Sequence, residues 1–244
     1  MDLKSINKEL KNYLAREWLN KNSENINYRL RAPDFTDKKK KYPLLVYFHG
    51  SGGRGNDNMS QLTDAGAIEA FFNQQISKNY CSYILAAQVP KNEKWVNVPW
   101  ENLSHKMPKI SKSMQLLFEI LDDITENKGY RIDNNRIYAL GISMGGYGVW
   151  DAIQRRRNFF TAAIPICGGG DASICSRISS MPIWSWHGTN DQDISVQRSR
   201  EMHNGILNAG GNPKYTEVKE RGHDVWLDVW GKKSVWDWLF SKSL

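Results

Sequence analysis

Long apolar runs are absent from this 244-residue chain: nowhere do the roughly 18 consecutive apolar residues of a membrane span occur. The first twenty residues also lack a signal-peptide core, carrying Lys4, Lys8, Glu9, Lys11, Arg16 and Glu17 instead. Cysteine is scarce. Cys81, Cys167 and Cys175 are odd in number and stand at no metal-ligand spacing, so neither a disulfide framework nor a zinc site is indicated. Cys81 and Cys167 fall in or beside apolar strands and read as buried thiols, while Cys175 falls in a loop, leaving a Cys167–Cys175 pair open. Basic residues exceed acidic ones, with a net charge of +7. The densest basic runs, 37–41 and 155–157, are far apart and lack the interleaved aromatics of a single-strand binder. They read as solvated surface, so no nucleic-acid partner is expected. Repeats, low-complexity tracts and linkers are missing too.

What is present is a regular alternation. The segments "PLLVYFHG" (43–50), "CSYILAAQ" (81–88), "RIYALGIS" (136–143), "AAIPIC" (162–167), "PIWSWHG" (182–188) and "KYTEVKE" (214–220) read as strands. Most are short, apolar and rich in β-branched or aromatic residues, as buried parallel strands are. Between them, Met114, Leu117, Phe118, Leu121 and Ile124 form one amphipathic helical stripe. Looser helical patterns cover 60–77, 144–155 and 196–209, and 234–241 closes the chain. Such alternation predicts an α/β fold, a mainly parallel central sheet with helices on both faces. Residues 1–26 read as a polar N-terminal helical extension, and "INYRLRAP" as an added edge strand. Residues 27–244 read as a single domain.

In such a sheet, ligands gather beyond the carboxyl ends of the strands. Within "YALGISMGGYGVW" (138–150), Gly141-Ile142-Ser143-Met144-Gly145 fits G-x-S-x-G. The glycines serve either a loose turn or a strand-to-helix elbow that lifts Ser143 above the sheet. Other strand ends decide between these. "WHGTND" delivers Asp191, and "ERGHDVW", after the last strand, delivers His223. Serine, acid and histidine in that chain order match an α/β-hydrolase triad. Asp193 is an alternative acid two residues on, and Asp171 a weaker one. His49, His105 and His187 lie outside the expected order, and His203 sits in a helical pattern. A fourth piece is "FHGSGGRGNDN" (48–58), where a strand runs into His-Gly-x-Gly. Its glycines let a backbone N–H approach a substrate carbonyl, and the Lys-Ser/Thr ending of a phosphate-binding loop is lacking. The expected oxyanion donors are the amides of Ser51 and Met144. Together these pieces predict a serine nucleophile, Ser143, with His223 as its base and Asp191 orienting the imidazole.

"YPLLVYFHGSGGRGNDN", "KWVNVPW", "RIYALGISMGGYGVWDAI", "AAIPICGGGD", "PIWSWHGTNDQDISVQRSREM", "GGNPKYTEVKERGHDVW" and "DWLF" resemble successive blocks of a bacterial α/β-hydrolase group. That group is labelled predicted peptidase, phospholipase/carboxylesterase-like or dienelactone-hydrolase-like. It is similar to the feruloyl and acetylxylan esterases of carbohydrate esterase family 1 and to polyhydroxybutyrate depolymerases. The resemblance covers about residues 27 to 241 and implies the α/β-hydrolase fold. It also implies triad positions for Ser143, Asp191 and His223, with Ser51 and Met144 at the oxyanion amides. Ile194 and Ser195 depart from the group's usual valine and proline, and the first 26 residues match none of its blocks. Members often carry signal peptides, so the expectation is a soluble chain with localisation left open, the mature part of an exported bacterial enzyme included.

The expected function is a serine carboxylic-ester hydrolase working through an acyl-enzyme, on feruloyl or acetyl esters of plant polysaccharide. A serine peptidase and a noncatalytic binding protein of the same fold are the alternatives. Trp95, Trp100 and Trp226 stand near the expected site as candidate platforms for an aryl group or sugar ring, with ordinary packing as the other reading. Arg54 and Asn58 are further polar candidates, and Trp184 and Trp186 read as core. The partner expected is a small-molecule or polysaccharide-linked ester. No metal or organic cofactor is called for, and oligomeric state is left open.

Overall fold

Period-two burial divides the strand residues between two cores. Leu44, Val46 and Phe48 face one with Tyr83, Leu85, Ala87, Ile137 and Ala139. Their neighbours Leu45, Tyr47, Ile84, Ala86, Tyr138, Leu140 and Ile142 face the other. Strands apolar on both sides can persist only where helices cover both faces of the sheet. The computed structural model describes residues 8–33, 37, 39–72 and 79–244. Its strands are β1 (Tyr13–Leu19), β2 (Asn25–Arg31), β3 (Tyr42–Phe48), β4 (Tyr83–Gln88), β5 (Ile132–Ile142), β6 (Ala162–Ile166), β7 (Trp184–Gly188) and β8 (Lys214–Val218). Its helices are α1 (Ser60–Thr63), α2 (Ala67–Phe72), α3 (Lys112–Glu126), α4 (Met144–Arg155), α5 (Gln197–Asn208), α6 (Trp226–Trp230) and α7 (Lys233–Phe240).

The sheet has eight strands in the order β1-β2-β4-β3-β5-β6-β7-β8. β2 runs antiparallel to both β1 and β4, and the remaining pairs are parallel. Apolar residues of α3, α4 and α5 fill one core; those of α1, α2, α6 and α7 fill the other. The stripe read from the sequence buries Met114, Leu117, Leu121 and Ile124, with Phe118 half-buried at its margin. Ser111 caps that helix by accepting Met114 N–H at 3.1 Å.

The N-terminal reading is corrected. Residues 13–19 are a strand, not part of a helical extension, and they form the sheet edge, so β2 is internal. The predicted domain boundary at residue 27 falls inside β2. A turn explains the change: Asn20 Oδ1 accepts N–H groups from Asn22 and Glu24, and Ser23 takes a φ of 60°. The chain then folds back with Trp18 opposite Ile26 and Leu14 opposite Leu30. Trp18 Nε1 also donates to Glu119 Oε2 on α3 at 3.0 Å. Polar composition favoured a helix locally, but pairing with β2 overrides that weak preference. Residues 1–7 lie outside the described residues. The helical pattern at 60–77 is likewise interrupted, at Asp64–Gly66, where Ala65 has a φ of 56°; residues 73–78 lie outside the described ones.

Two smaller expectations also change. Lys39, Lys40 and Lys41 are exposed as expected, but Arg155 and Arg156 are not simply solvated. Arg155 pairs with Asp151 and donates to Pro108 O, and Arg156 pairs with Asp122 while lying over the Phe159 ring. Cys167 and Cys175 are free thiols in separate settings: Sγ of Cys175 faces Met202 O on α5, and Sγ of Cys167 faces His223 O.

Candidate active site

Between β5 and α4 the chain turns within a single residue, Ser143, whose φ of 54° and ψ of −121° lie where non-glycine residues are strained. Backbone contacts hold that conformation. Ser143 N–H donates to Ile166 O at 2.9 Å, and Ser143 O accepts Tyr147 N–H at 3.2 Å. Tight packing requires the flanking glycines. A Cβ on Gly145 would lie 1.9 Å from Phe48 O, and one on Gly141 would lie 2.5 Å from Gly145 O. The start of α4 therefore rests directly on the end of β3. A Cβ on Gly145 would also lie 2.7 Å from His49 O, so the loop after β3, which carries the turn Ser51–Gly53, starts against the first turn of α4.

Ser143 Oγ lies 2.8 Å from His223 Nε2, and His223 Nδ1 lies 2.7 Å from Asp191 Oδ2. The structure thus joins Ser143, His223 and Asp191, from three different strand ends, in one hydrogen-bonded chain. Asp191 Oδ1 accepts the backbone N–H groups of Asp193 and Ile194, each at 2.9 Å. Burial pushes the Asp191 carboxyl up, but hydrogen bonds from His187, His223 and Ile194 N–H outweigh it and hold the group below the usual carboxylate range. Asp193, the alternative acid, is exposed and touches Asp191 only through its backbone N–H. Asp171 instead serves a loop: it accepts N–H groups from Met107 and Ser173.

His49 and His105 have partners elsewhere. His49 is buried, its Nε2 accepting Val89 N–H at 3.0 Å, and burial lowers its pKa to about 4. His105 Nδ1 lies 2.6 Å from Arg198 Nη2; burial, then the nearby guanidinium, lowers its pKa to about 4. His187 was set aside by chain order, yet its Nε2 lies 3.1 Å from Asp191 Oδ2. Its place four residues before the acid, at the end of a strand, was the available sequence signal.

Among the described residues, Cys167, Asp191 and His223 hold potential metal-ligand atoms within 4.8 Å of one another. Burial and the Asp191 charge push the Cys167 thiol up, so the soft ligand such a site needs is hard to form. Asp191 and His223 already share a hydrogen bond. The group suits proton sharing better than metal binding.

The tryptophans separate. Trp95 is fully buried, its Nε1 donating to His49 O at 3.2 Å and its ring set edge-on to Phe48, so it supports the β3 loop from beneath and is not a substrate contact. Trp100 is half-buried between Lys94 Nζ, 4.4 Å from its ring centroid, and the Arg54 guanidinium at 5.9 Å. Trp226 stands edge-on to the His223 ring, with centroids 5.3 Å apart. Arg54 Nε donates back to Ser51 O at 3.0 Å. Asn58 Nδ2 donates to Arg16 O and Tyr28 O, so it ties this loop to the β1–β2 hairpin.

A residue that sequence reasoning missed anchors the loop on the other side. Arg198 is fully buried on α5 and donates to Leu103 O at 2.6 Å, Gly170 O at 3.2 Å and Glu201 Oε2 at 2.6 Å. Arg198→Met would leave those carbonyls without their donor. Urea unfolding is expected to show a loss on the order of 3 kcal/mol, with faster proteolysis near Leu103.

The crystal structure of a thermostable esterase superposes with a TM-score of 0.90, at 32% identity over 97% of this chain and 64% of that one. The chain is an α/β-hydrolase-fold protein. A ferulic acid esterase structure shares the fold at 18% identity and a TM-score of 0.64, covering 94% of this α/β-hydrolase chain and 93% of its own. A curated relative is a bifunctional acetylxylan esterase/xylanase of Neocallimastix patriciarum, 32% identical over 88 residues, 36% of this chain and 13% of that protein. The chain thus spans under two thirds of both the thermostable esterase and the Neocallimastix protein. No protein-family model matches it. Among the described residues no helix is long and apolar enough to cross a membrane.

Proposed function

We propose that this chain is a serine carboxylic-ester hydrolase. The observation that carries the reading is the hydrogen-bonded chain Ser143–His223–Asp191, with bonds of 2.8 and 2.7 Å, ending on a serine at a strained strand-to-helix turn. Ser143 Oγ attacks the ester carbonyl while His223 Nε2 accepts its proton. Asp191, held ionised, stabilises the imidazolium from the Nδ1 side. The N–H groups of Ser51 and Met144 receive the oxyanion, and each such donor contributes on the order of 3 kcal/mol to lowering the barrier. Collapse of the tetrahedral intermediate expels the alcohol, which takes the proton from His223. Water, deprotonated by the same imidazole, then attacks the acyl-enzyme and releases the acid.

For the finer reading we propose acetyl or feruloyl esters of plant polysaccharide. The named esterases among the relatives support it, as do Trp100 and Trp226, two half-buried indoles beside the oxyanion loop and the histidine. A panel of p-nitrophenyl acetate, p-nitrophenyl butyrate, methyl ferulate, acetylated xylan and a chromogenic peptide tests both levels. A p-nitrophenyl phosphonate added to the same enzyme is expected to modify Ser143 one-to-one. Turnover of the acetyl or feruloyl esters with that label supports the proposal. Peptide turnover alone moves the chain to the peptidases, and neither turnover nor labelling points to a binding protein.

A further inference from the structure

His187 is fully buried, although a strand position between two cores would ordinarily carry an apolar side chain. Both ring nitrogens are engaged. Nε2 lies 3.1 Å from Asp191 Oδ2 and 2.9 Å from Ile194 O. Because both neighbours are acceptors, that nitrogen must carry the proton. Nδ1 lies 2.7 Å from Ser199 Oγ on α5, and that hydroxyl stands 3.3 Å from Gly168 O. Strand β7, the acid loop and α5 thus all fix the orientation of the ring. On the neighbouring strand His187 stands in register with Glu217, itself held in a two-pronged ion pair by Arg200.

The acid's surroundings make this contact consequential. The Asp191 carboxylate has no solvent exposure, so protein donors supply its solvation. Four do so: Asp193 N–H and Ile194 N–H at Oδ1, His223 and His187 at Oδ2. The Cys167 thiol packs against the carboxylate, the Tyr147 hydroxyl feels its charge, and the Asp224 carboxylate acts on that thiol. We propose that His187 is a positioning residue of this site, its Nε2–H sharing Asp191 Oδ2 with His223 and so setting how much of the carboxylate's charge the imidazole receives. The inference rests on the hydrolase reading above for its consequence in catalysis, and on geometry alone for the shared oxygen.

The test compares wild type with His187→Leu, His187→Gln and Ser199→Ala. Leucine removes the donor, whereas glutamine can place an N–H near the Nε2 position. An acid that loses a donor keeps more charge for His223, which then binds its proton more tightly. In His187→Leu the acid limb of the kcat/KM profile for p-nitrophenyl acetate is therefore expected about half a pH unit higher or more. kcat is expected to fall about tenfold with KM within about twofold, and His187→Gln to recover most of the loss. A second readout needs no turnover: the low-field proton resonance of His223 Nδ1–H, assigned by its loss in His223→Gln, should move in His187→Leu. If that resonance moves but no ester is cleaved, the hydrolase reading fails and the shared oxygen stands. A folded His187→Leu with both acid limb and resonance at their wild-type positions overturns the proposal. Should the leucine variant not fold, Ser199→Ala carries the test. It frees Nδ1 while leaving the imidazole in place, and shifts in the same direction are expected; their absence in both readouts overturns the proposal.

Discussion

Ser143→Ala is expected to lower kcat for p-nitrophenyl acetate by about a million-fold, with KM within about twofold. The serine, the histidine and the acid act as one unit in the proposed mechanism, so removing the attacking oxygen leaves only the oxyanion amides and binding to assist water. Asp191→Asn is expected to cost about ten-thousand-fold. Its geometry survives, but an amide can neither hold the Nδ1 proton with a negative charge nor stabilise the imidazolium. Asp193→Asn serves as the control and should stay within about twofold, because Asp193 meets the acid only through its backbone. Steady-state kinetics on the folded variants decide all three. The sign of the pH dependence follows from the low-lying Asp191 carboxyl. Its contribution to stability is present above the unfolded value of about 4 and is lost as pH falls through the lower folded value. Asp191→Asn should therefore destabilise the fold more at pH 7 than at pH 3.

Gly145→Ala is expected to cost about 5 kcal/mol or more, much of the stability of a typical domain. The added Cβ would lie 1.9 Å from Phe48 O and 2.7 Å from His49 O, both backbone atoms at the end of central strand β3. No rotamer relieves that clash; either α4 lifts from the sheet or β3 shifts away from β4 and β5. Gly231→Ala is the matching control, because its Cβ would meet nothing within 4 Å and its φ is −79°. Circular dichroism melting is expected to place Gly145→Ala more than about 10 °C below wild type, or to find it insoluble, with Gly231→Ala close to wild type. An unchanged melting temperature for Gly145→Ala would contradict the close approach of α4 and β3.

Some of this architecture was readable residue by residue. Strands β3 to β7 and helix α3 announce themselves because burial on a sheet has a period of two and on a helix about 3.6. The elbow was legible because an acid and a histidine at later strand ends, in triad order, favoured it over a loose turn. Asp191 and His223 could be singled out by their places at strand ends. The choice between Asp191 and Asp193 was less legible, since two positions along an extended loop put both on one side. It took the fold of that loop, with Asp193 and Ile194 donating back to Asp191, to aim one carboxylate at His223.

Local periodicity, glycine placement and chain order carry the parallel α/β core, the serine turn and the order of the residues meeting there. Tertiary structure alone decided the rest. Residues 13–19 became the edge strand because β2 offered a partner that a lone polar segment cannot anticipate. Trp95 went beneath the loop after β3, because His49 O and Phe48 were waiting there. Arg198 and His187 took up their roles because β7, α5 and the loops after β4 and β6 converge on them from distant parts of the chain. A contact between residues far apart in sequence depends on the packed fold, and no short window of sequence contains it.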